Sequence, residues 1–561
     1  MVNSKLVTLP FLLSTSIYGV ALAQTPPSAG TLNQQIEREQ QPRLLPKAAP
    51  EIRIQQGTAP AIAATNQMKI IVNTLHVTNM HVFSENELIA VTGFKPNSEL
   101  TLTDLRGMAA KIAEYYHQHG YFLAQAYLPA QDIKDSAVTI ALLEGQYGKV
   151  SLRNQTNLSD ALANGLLGGL DSNEAVTIAP LESRLLLLAD LPGVNAKSTL
   201  IPGASVGTSD LIVDLTPGQH VTGSADADNE GNRYTGNNRI GVMANINEPF
   251  GFGDILTLRA QSSLDSLNYA RASYQAQFGR AKAGVAYSSM DYRLGKEFAS
   301  LLANGTAKIA SVYGSYPLIR SRSSNLNAVV DFDDKTFSDK VNSTSTVTDK
   351  KAQVWMMSLN GDSRDGLGGG ALNNYSFTWT SGSLNIQSPA ALATDSATLH
   401  SNGHYDKLGF NAFRLQSVTE STSLYVAIQG QLATKNLDTS EKMELGGATA
   451  VRAYPAGEAN ADQGYVLNLE ARTLLPRLSE SQPGLLQLVG FIDTGTAMLN
   501  KNVWSSGQNR RALSGAGIGL NWVDNNSFAV KAFYARKLGN AVATSAPDAM
   551  TRFWLQGIKY F

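Results

Sequence analysis

The chain has 561 residues, a formal net charge of -1, 43% hydrophobic and 16% charged residues, and no cysteine. Such a length predicts several domains, and the balanced charge gives no case for a nucleic-acid partner or a polybasic membrane-surface patch. Without cysteine there is neither a disulfide framework nor a thiolate metal site.

Lys5 opens the chain with a positive charge, and Leu6 to Val20 is mostly apolar. Ala21-Leu22-Ala23 then offers a small-x-small cleavage pattern before Gln24. Residues 1–23 therefore read as a secretory signal peptide whose apolar core is too short to span a bilayer. No later run is long and apolar enough for a transmembrane helix, so the mature protein is expected to be exported, either soluble or a β-barrel. Residues 24–41 contain a helix-capable polar stretch, Leu32 to Gln41, that stops at Pro42. Pro42, Pro46, Pro50 and Pro60 mark residues 42–67 as a linker.

Residues 68–146 read as a compact unit in the order β-α-α-β-β. Lys69 to Val77 is a strand, Ser84 caps a short helix with Glu87 three residues on, and Thr101 to His119 is a longer helix closed by Gly120. Phe122 to Leu128 and Val138 to Leu143 are the closing strands, the second ending on Glu144-Gly145. Residues 147–217 repeat the order. Lys149 to Leu152 is a strand, Asn157 to Leu167 and Ala179 to Leu191 are helices, and Asn195 to Ile201 and Asp210 to Leu215 are strands.

From residue 218 the pattern becomes alternation. Leu256, Leu258 and Ala260 oppose Thr257, Arg259 and Gln261; Leu424, Val426, Ile428 and Leu432 oppose Tyr425, Gln429 and Gln431; Leu467, Leu469 and Ala471 oppose Asn468, Glu470 and Arg472. A period of two with one apolar and one polar face predicts a barrel with a wet interior over 218–561. Gly279-Arg280 and Asp524-Asn525-Asn526 read as tight turns, and polar runs near 291–305, 337–349, 382–402 and 433–462 as long loops. The segments give a count of about sixteen antiparallel strands. By parity the 433–462 loop begins outside and reaches the lumen only by folding back in.

Within that loop stands Val451-Arg452-Ala453-Tyr454-Pro455, and Phe491-Ile492-Asp493-Thr494-Gly495 follows on a later strand. A charge inside a barrel is costly unless paired or hydrated, so Arg452 and Asp493 are candidates for fixing the loop in the lumen.

Three other patterns carry less. Gly203-Ala204-Ser205-Val206-Gly207 has the spacing of a serine-hydrolase elbow, but a strand follows where that elbow needs a helix. His117 and His119 lie two apart on a helix end, on different faces, which disfavours a metal. Gly366 to Gly370 lacks the Lys-Ser/Thr of a phosphate loop. Neither a cofactor nor a catalytic constellation is expected.

With these elements in order, the chain resembles the outer-membrane transporters of two-partner secretion, the haemolysin- and haemagglutinin-secretion proteins of the Omp85 superfamily. That family runs from a plug helix and linker through two POTRA domains to a sixteen-stranded barrel. Glu144-Gly145, Leu181 to Val194, Pro202-Gly203 with Thr208 to Leu211, and the stretch from Asn229 to Asp254 resemble its domain ends and opening hairpin. Val451-Arg452-Ala453-Tyr454 matches its inward-folded Val-Arg-Gly-Tyr motif, and Phe491 to Gly495 its partner strand motif. Ala453 stands where the family has glycine, so a left-handed backbone there would be strained. Phe553, Leu555, Gly557 and Phe561 share a face at the C-terminus, as the family's signal for the barrel-assembly machinery prefers; Lys559 interrupts it and could snorkel.

The resemblance implies a plug helix at 24–41, POTRA domains at 68–146 and 147–217, and a barrel in outer-membrane lipid. It also implies a large secreted partner (a haemolysin, an adhesin or a contact-inhibition toxin), bound unfolded in the periplasm and passed through the barrel without ATP. Three rivals stand beside this reading: an Omp85 assembly factor, a passive porin and a secreted enzyme. Two repeated modules and an N-terminal helix argue against the first, folded periplasmic modules against the second, and the missing catalytic constellation against the third.

Overall fold

The computed structural model describes residues 26–39, 52–54, 68–172, 174–477, 479–524 and 527–561. The expected signal peptide, most of the linker and the tip of the turn at 525–526 lie outside the described residues.

Helix α1 (Ala29–Glu39) starts three residues before the helix-capable polar stretch expected from Leu32, because the Ser28 hydroxyl accepts the Thr31 N–H and caps it there. Its Ala29, Leu32 and Ile36 are buried among Leu267, Tyr269, Met290 and Tyr292 of the barrel wall and Tyr234 of the loop at 229–238. The helix therefore lies inside the barrel. Strand β1 (Ile52–Ile54) is an element the proline-rich composition concealed.

The first α+β unit comprises β2 (Lys69–Val72), β3 (Thr74–Thr78), α2 (Glu85–Thr92), β4 (Ser98–Thr101), α3 (Leu102–Gln118), β5 (Gln125–Tyr127) and β6 (Ala137–Leu143). Both helices start as their sequences predict: Ser84 caps α2, and Thr101 with Asp104 forms a reciprocal capping box on α3. The expected strand Lys69 to Val77 is broken in two. Asn73 and Thr74 both donate backbone N–H groups to the Ser136 carbonyl, so β2 pairs with β4 while β3 pairs with β6. The expected strand Phe122 to Leu128 shrinks to β5, since Ala124 closes a turn onto the Tyr121 carbonyl. Leu105, Ala109, Ile112 and Tyr116 on α3 pack onto the sheet.

The second unit comprises β7 (Gln146–Asn154), α4 (Asp160–Leu167), α5 (Ile178–Ala189), β8 (Val194–Pro202) and β9 (Thr208–Pro217). Its sheet has the order β1-β8-β9-β7. Leu181, Leu185, Leu187 and Leu188 of α5 fill its core.

The barrel follows as β10 (Val221–Asp228), β11 (Arg239–Asn247), β12 (Ile255–Ser262), β13 (Leu267–Phe278), β14 (Ala281–Arg293), β15 (Ala303–Arg320), β16 (Ser324–Val341) and β17 (Thr346–Asp365). It continues through β18 (Ala371–Ile386), α6 (Pro389–Ala397), β19 (Gly403–Ser417), β20 (Thr422–Ala433) and β21 (Gln463–Leu474). It ends with β22 (Leu485–Met498), β23 (Arg510–Asp524), β24 (Phe528–Lys537) and β25 (Thr551–Tyr560). These sixteen strands close on themselves, each antiparallel to its neighbour, with β25 pairing back to β10 from Ser224↔Tyr560 to Asp228↔Gln556.

The alternation has the sense a membrane demands. Leu258, Leu424, Val426, Ile428 and Leu432 are exposed on the outer wall, while Arg259 pairs with Asp226 inside. Tyr287, Trp355 and Trp379 add aromatic side chains to that outer face. One expected loop proves to be mostly strand: 337–349 is crossed by β16 and β17, leaving only a short turn with a 3₁₀ piece at Asn342–Thr344. The run 291–305 keeps a loop over 294–302, with a 3₁₀ turn at Lys296–Leu301. Among the described residues the α6 connection and the 434–462 loop are the longest at that end, beside shorter loops at 229–238, 499–509 and 538–550.

The second unit docks on the opposite end. Arg320 forms two hydrogen bonds of 2.6 and 2.7 Å with Asp190 just beyond α5, the Arg322 N–H donates to Glu182, and the Ser159 N–H donates to the Gly251 carbonyl.

Candidate functional site: a loop held inside the barrel

The 434–462 loop turns back into the lumen, where Met443, Leu445, Val451, Ala453, Tyr454 and Ala461 form one core with Val466, Phe491 and Leu513 of the wall. Isolated bridges Met443↔Ala461 and Gly446↔Val451 hold it as an irregular hairpin.

Phe491, Asp493 and Gly495 alternate onto the inner face of β22, and the loop brings Arg452 to them. Arg452 donates from Nε (2.8 Å), Nη2 (2.7 Å) and its backbone N–H (3.1 Å) to the Asp493 carboxylate. Its guanidinium lies 3.5 Å from the centre of the Phe491 ring and 5.0 Å from that of Phe533. Arg452 is 4% exposed and Asp493 is fully buried, so each charge relies on the other for solvation.

Several partners were not legible from the motifs. Arg452 Nη1 reaches Glu470 at 2.7 Å, and Glu470 also pairs with Arg472. Asn468 donates to both Asp493 and the Ala450 carbonyl, and the Trp554 indole donates to the Arg452 carbonyl at 2.7 Å. These residues stand on β21 and β25, and only the strand register brings them together.

Ala453 is not strained. Its backbone lies outside the left-handed region, which this loop visits at Gly447, Gly457 and Ala459. The room its methyl needs comes from Gly515, where a Cβ would stand 2.5 Å from the Ala453 Cβ. Gly495 plays a like part: a Cβ there would lie 3.2 Å from Leu445 Cδ2. The Tyr454 hydroxyl donates to the Ala541 carbonyl, and Gly446 lets the Pro455 carbonyl approach.

Further ion pairs tie the rest of the loop to the wall. Glu441 bridges Lys335 (3.0 Å) and Lys407 (2.7 Å) and Asp438 meets Lys350 (2.6 Å), while Lys442 pairs with Asp462 (3.0 Å) within the loop itself. Glu458 pairs with Arg511 and accepts from the backbone and hydroxyls of Thr544 and Ser545 in the 538–550 loop. Helix α1 rests on the same loop. Ser28 bonds Thr439 at 2.8 Å, Gln35 donates to Glu444 at 2.9 Å, and Arg38 donates to the Lys442 carbonyl at 2.6 Å. Gly30 faces Ser440 so closely that a Cβ would come within 2.5 Å of the serine Cβ.

The remaining marked residues lie elsewhere. Phe553, Leu555 and Phe561 face outward on or just after β25, and Lys559 bonds Ser527 at 2.6 Å. Gly203 to Gly207 is the β8–β9 hairpin turn, with no helix after it. His117 and His119 contact the separate carbonyls of Ala124 and Tyr115. Gly366 to Gly370 forms the turn between β17 and β18. Glu144 closes the first unit. Burial works to raise the pKa of its carboxyl, but donors at His81 N, Tyr116 Oη and Val82 N outweigh that and hold it below its ordinary value.

A sixteen-stranded membrane barrel carrying an inward-folded, charge-paired loop behind two periplasmic α+β units is the architecture of an outer-membrane protein transporter. The chain belongs to the haemolysin secretion/activation protein family ShlB/FhaC/HecB, whose profile matches residues 207–522, and a ShlB-type POTRA domain matches residues 70–145. It secretes a partner exoprotein through the barrel of the bacterial outer membrane, with its POTRA region in the periplasm. It is 29% identical over 576 residues to the heme/hemopexin transporter protein HuxB of Haemophilus influenzae (strain 86-028NP), covering 100% of this chain and 99% of that one. The outer membrane transporter CdiB of Dickeya dadantii (strain 3937) is 23% identical over 68% of each chain. Among solved structures, CdiB from Escherichia coli superposes with a TM-score of 0.68 at 19% identity, covering 90% of this chain and 93% of that one. BamA from Haemophilus ducreyi, lacking POTRA domains 1-3, gives 0.52 at 14%, covering 88% and 100%.

Proposed function

We propose that this transporter rests with its lumen closed by α1 and the 434–462 loop, and that the Arg452–Asp493 pair sets the loop's resting position. The observation that carries this reading is the burial of both obstructions inside one barrel, joined to each other at Thr439, Lys442 and Glu444. An extended passenger enters from the first POTRA domain at 68–146, α1 leaves, and the polar inner wall keeps the passenger's backbone hydrated. Folding of the passenger outside the cell supplies the direction, without nucleotide or catalytic chemistry. Phe553, Leu555 and Phe561 present the barrel to the assembly machinery.

For the passenger, full-length similarity to a heme/hemopexin transporter favours an exoprotein that handles haem or a haem carrier. The more distant similarity to CdiB keeps a contact-inhibition toxin as the second reading. Comparing the supernatants of parent and deletion strains tests both. One large protein is expected to vanish on deletion; affinity of that protein for haemin or haemopexin supports the first reading, and growth inhibition of neighbouring cells the second.

A further inference from the structure

The outer wall carries a charge pattern with no part in holding the loop or α1. Lys308 on β15 and Lys351 on β17 lie on one hydrogen-bonded row, on either side of Thr336 on β16. Arg293 on β14 and Lys340 on β16 flank Asn304 of β15 in the same manner, farther toward the extracellular rim. All four side chains are exposed. They point away from the lumen, because Tyr292, Ala307, Asp339 and Lys350 beside them in sequence face inward. The members of each pair are two strand spacings apart, about 10 Å between their Cα atoms.

Arg320, bound to Asp190, marks the periplasmic end of β15. At about 3.3 Å per residue and a strand tilt of about 40°, Lys308 stands about 30 Å above it, at the outer boundary of the apolar band. On a row just below, Val312, Phe332 and Trp355 face the acyl chains, the two rings with their centres 4.8 Å apart. Three carboxylates share this outer face, and each is engaged by a neutral donor: Asp334 by Gln353, Asp291 by Asn268 and Asp349 by Ser338. Among the described residues none of the four cations forms an ion pair. An unpaired lysine in bulk water needs no partner. These four instead face the headgroup layer of the outer leaflet, where the neighbours are phosphates and sugars.

We infer that the outward face of β14 to β17 at the extracellular rim is a binding site for the phosphorylated headgroup of an outer-leaflet glycolipid, lipopolysaccharide. Lys308 and Lys351 converge on one lipid A phosphate, each side chain bridging half of the gap across Thr336. Arg293 and Lys340 meet the phosphorylated sugars beyond it, and the acyl chains lie along Val312, Phe332 and Trp355. Charge complementarity and position select this occupant: the face is cationic where the phosphates lie and apolar where the chains lie. The same strands seat α1 on their inner side through Tyr292, Ala307 and Phe337, so the bound lipid braces the wall that holds the helix. The site is independent of which passenger is carried.

The test uses the full-length transporter in detergent micelles, stripped of copurified lipid, with deep-rough lipopolysaccharide carrying both lipid A phosphates as the probe. Saturable binding is expected, weakened about five- to thirtyfold in Lys308→Gln/Lys351→Gln, the loss of two charge-assisted contacts. Lys308→Arg/Lys351→Arg should restore it. Dephosphorylated lipopolysaccharide should bind the parent as weakly as the intact glycolipid binds the Gln variant. Arg510→Gln/Arg536→Gln removes two exposed cations from β23 and β24 on another part of the wall and should bind like the parent. Heat modifiability reports folding; where the double Gln variant does not fold, Lys308→Gln and Lys351→Gln singly should each bind about two- to fivefold more weakly. Equal binding by the parent and a folded Gln variant overturns the proposal. So does an equal loss in Arg510→Gln/Arg536→Gln, or indifference to lipid phosphorylation. Displacement of the glycolipid by inorganic phosphate at matched concentration makes the ligand a free anion and overturns the lipid source.

Discussion

Gly515 makes the space that Ala453 occupies: a Cβ on Gly515 would come within 2.5 Å of the alanine methyl. Gly515 pairs directly with Asp493, so this space lies beside the ion pair. The room for a side chain on the loop is thus cleared from the wall, without a left-handed backbone.

Gly515→Ala is therefore expected to push the loop tip off the wall, at an overpacking cost of about 1–3 kcal/mol. Ala453→Gly in the same protein should restore the fit, while Ala453→Gly alone is mild. Protease sensitivity of the 434–462 loop and secretion by the four variants check this; equal defects in the single Gly515→Ala and the double variant refute the pairing of the two positions.

Removal of Arg452 is expected to be worse than removal of Asp493. Arg452→Ala strands the buried Asp493 carboxylate and leaves Glu470 with Arg472 alone, whereas Asp493→Ala leaves Arg452 its bond to Glu470. Breaking a buried pair costs about 3–5 kcal/mol, less where water enters. The Arg452→Ala/Asp493→Ala double variant should be no worse than Arg452→Ala, since the interaction is lost only once. Secretion assays on barrels already inserted in the outer membrane decide it; additive defects mean the residues act separately.

Deleting residues 24–41 is expected to raise conductance in planar bilayers while secretion persists. A gentler variant, Gly30→Leu, should raise it as well, because the side chain has no room against the Ser440 backbone. Unchanged conductance in both refutes the plug assignment.

The first POTRA domain should lose stability in acid through Glu144. A carboxylate held below its ordinary pKa stabilises the fold above the unfolded value of about 4.3, and that contribution disappears as pH falls through the lower folded value. Glu144→Ala is expected to cost about 2–3 kcal/mol at neutral pH, leaving two backbone N–H groups and the Tyr116 hydroxyl without an acceptor. The difference from the parent should narrow as the pH drops below 4. Amide exchange at His81 and Val82 across a pH series measures it.

The barrel was readable because its wall repeats every two residues, and Arg452 and Asp493 because a charge is conspicuous in that setting. Other features were hidden for definite reasons. Glu470 and Gly515 meet the loop only through a register that no local pattern encodes. Ile52–Ile54 is too short to show a period and is stabilised by a partner far along the chain. The polar run after Phe337 looked like a loop, yet strand pairing continues through most of it to Val341↔Thr346. Asn73 divides one expected strand because a distant carbonyl, that of Ser136, captures its backbone.

Glu458 has a different reach. It is fully buried, yet its carboxylate is gripped by Thr544 and Ser545 of the last outer loop as well as by Arg511 of the wall. Displacing the inner loop therefore strips four hydrogen bonds from a segment at the cell surface. A binder that seizes the 538–550 segment is therefore expected to pull, through Glu458, on a loop it never touches inside the lumen.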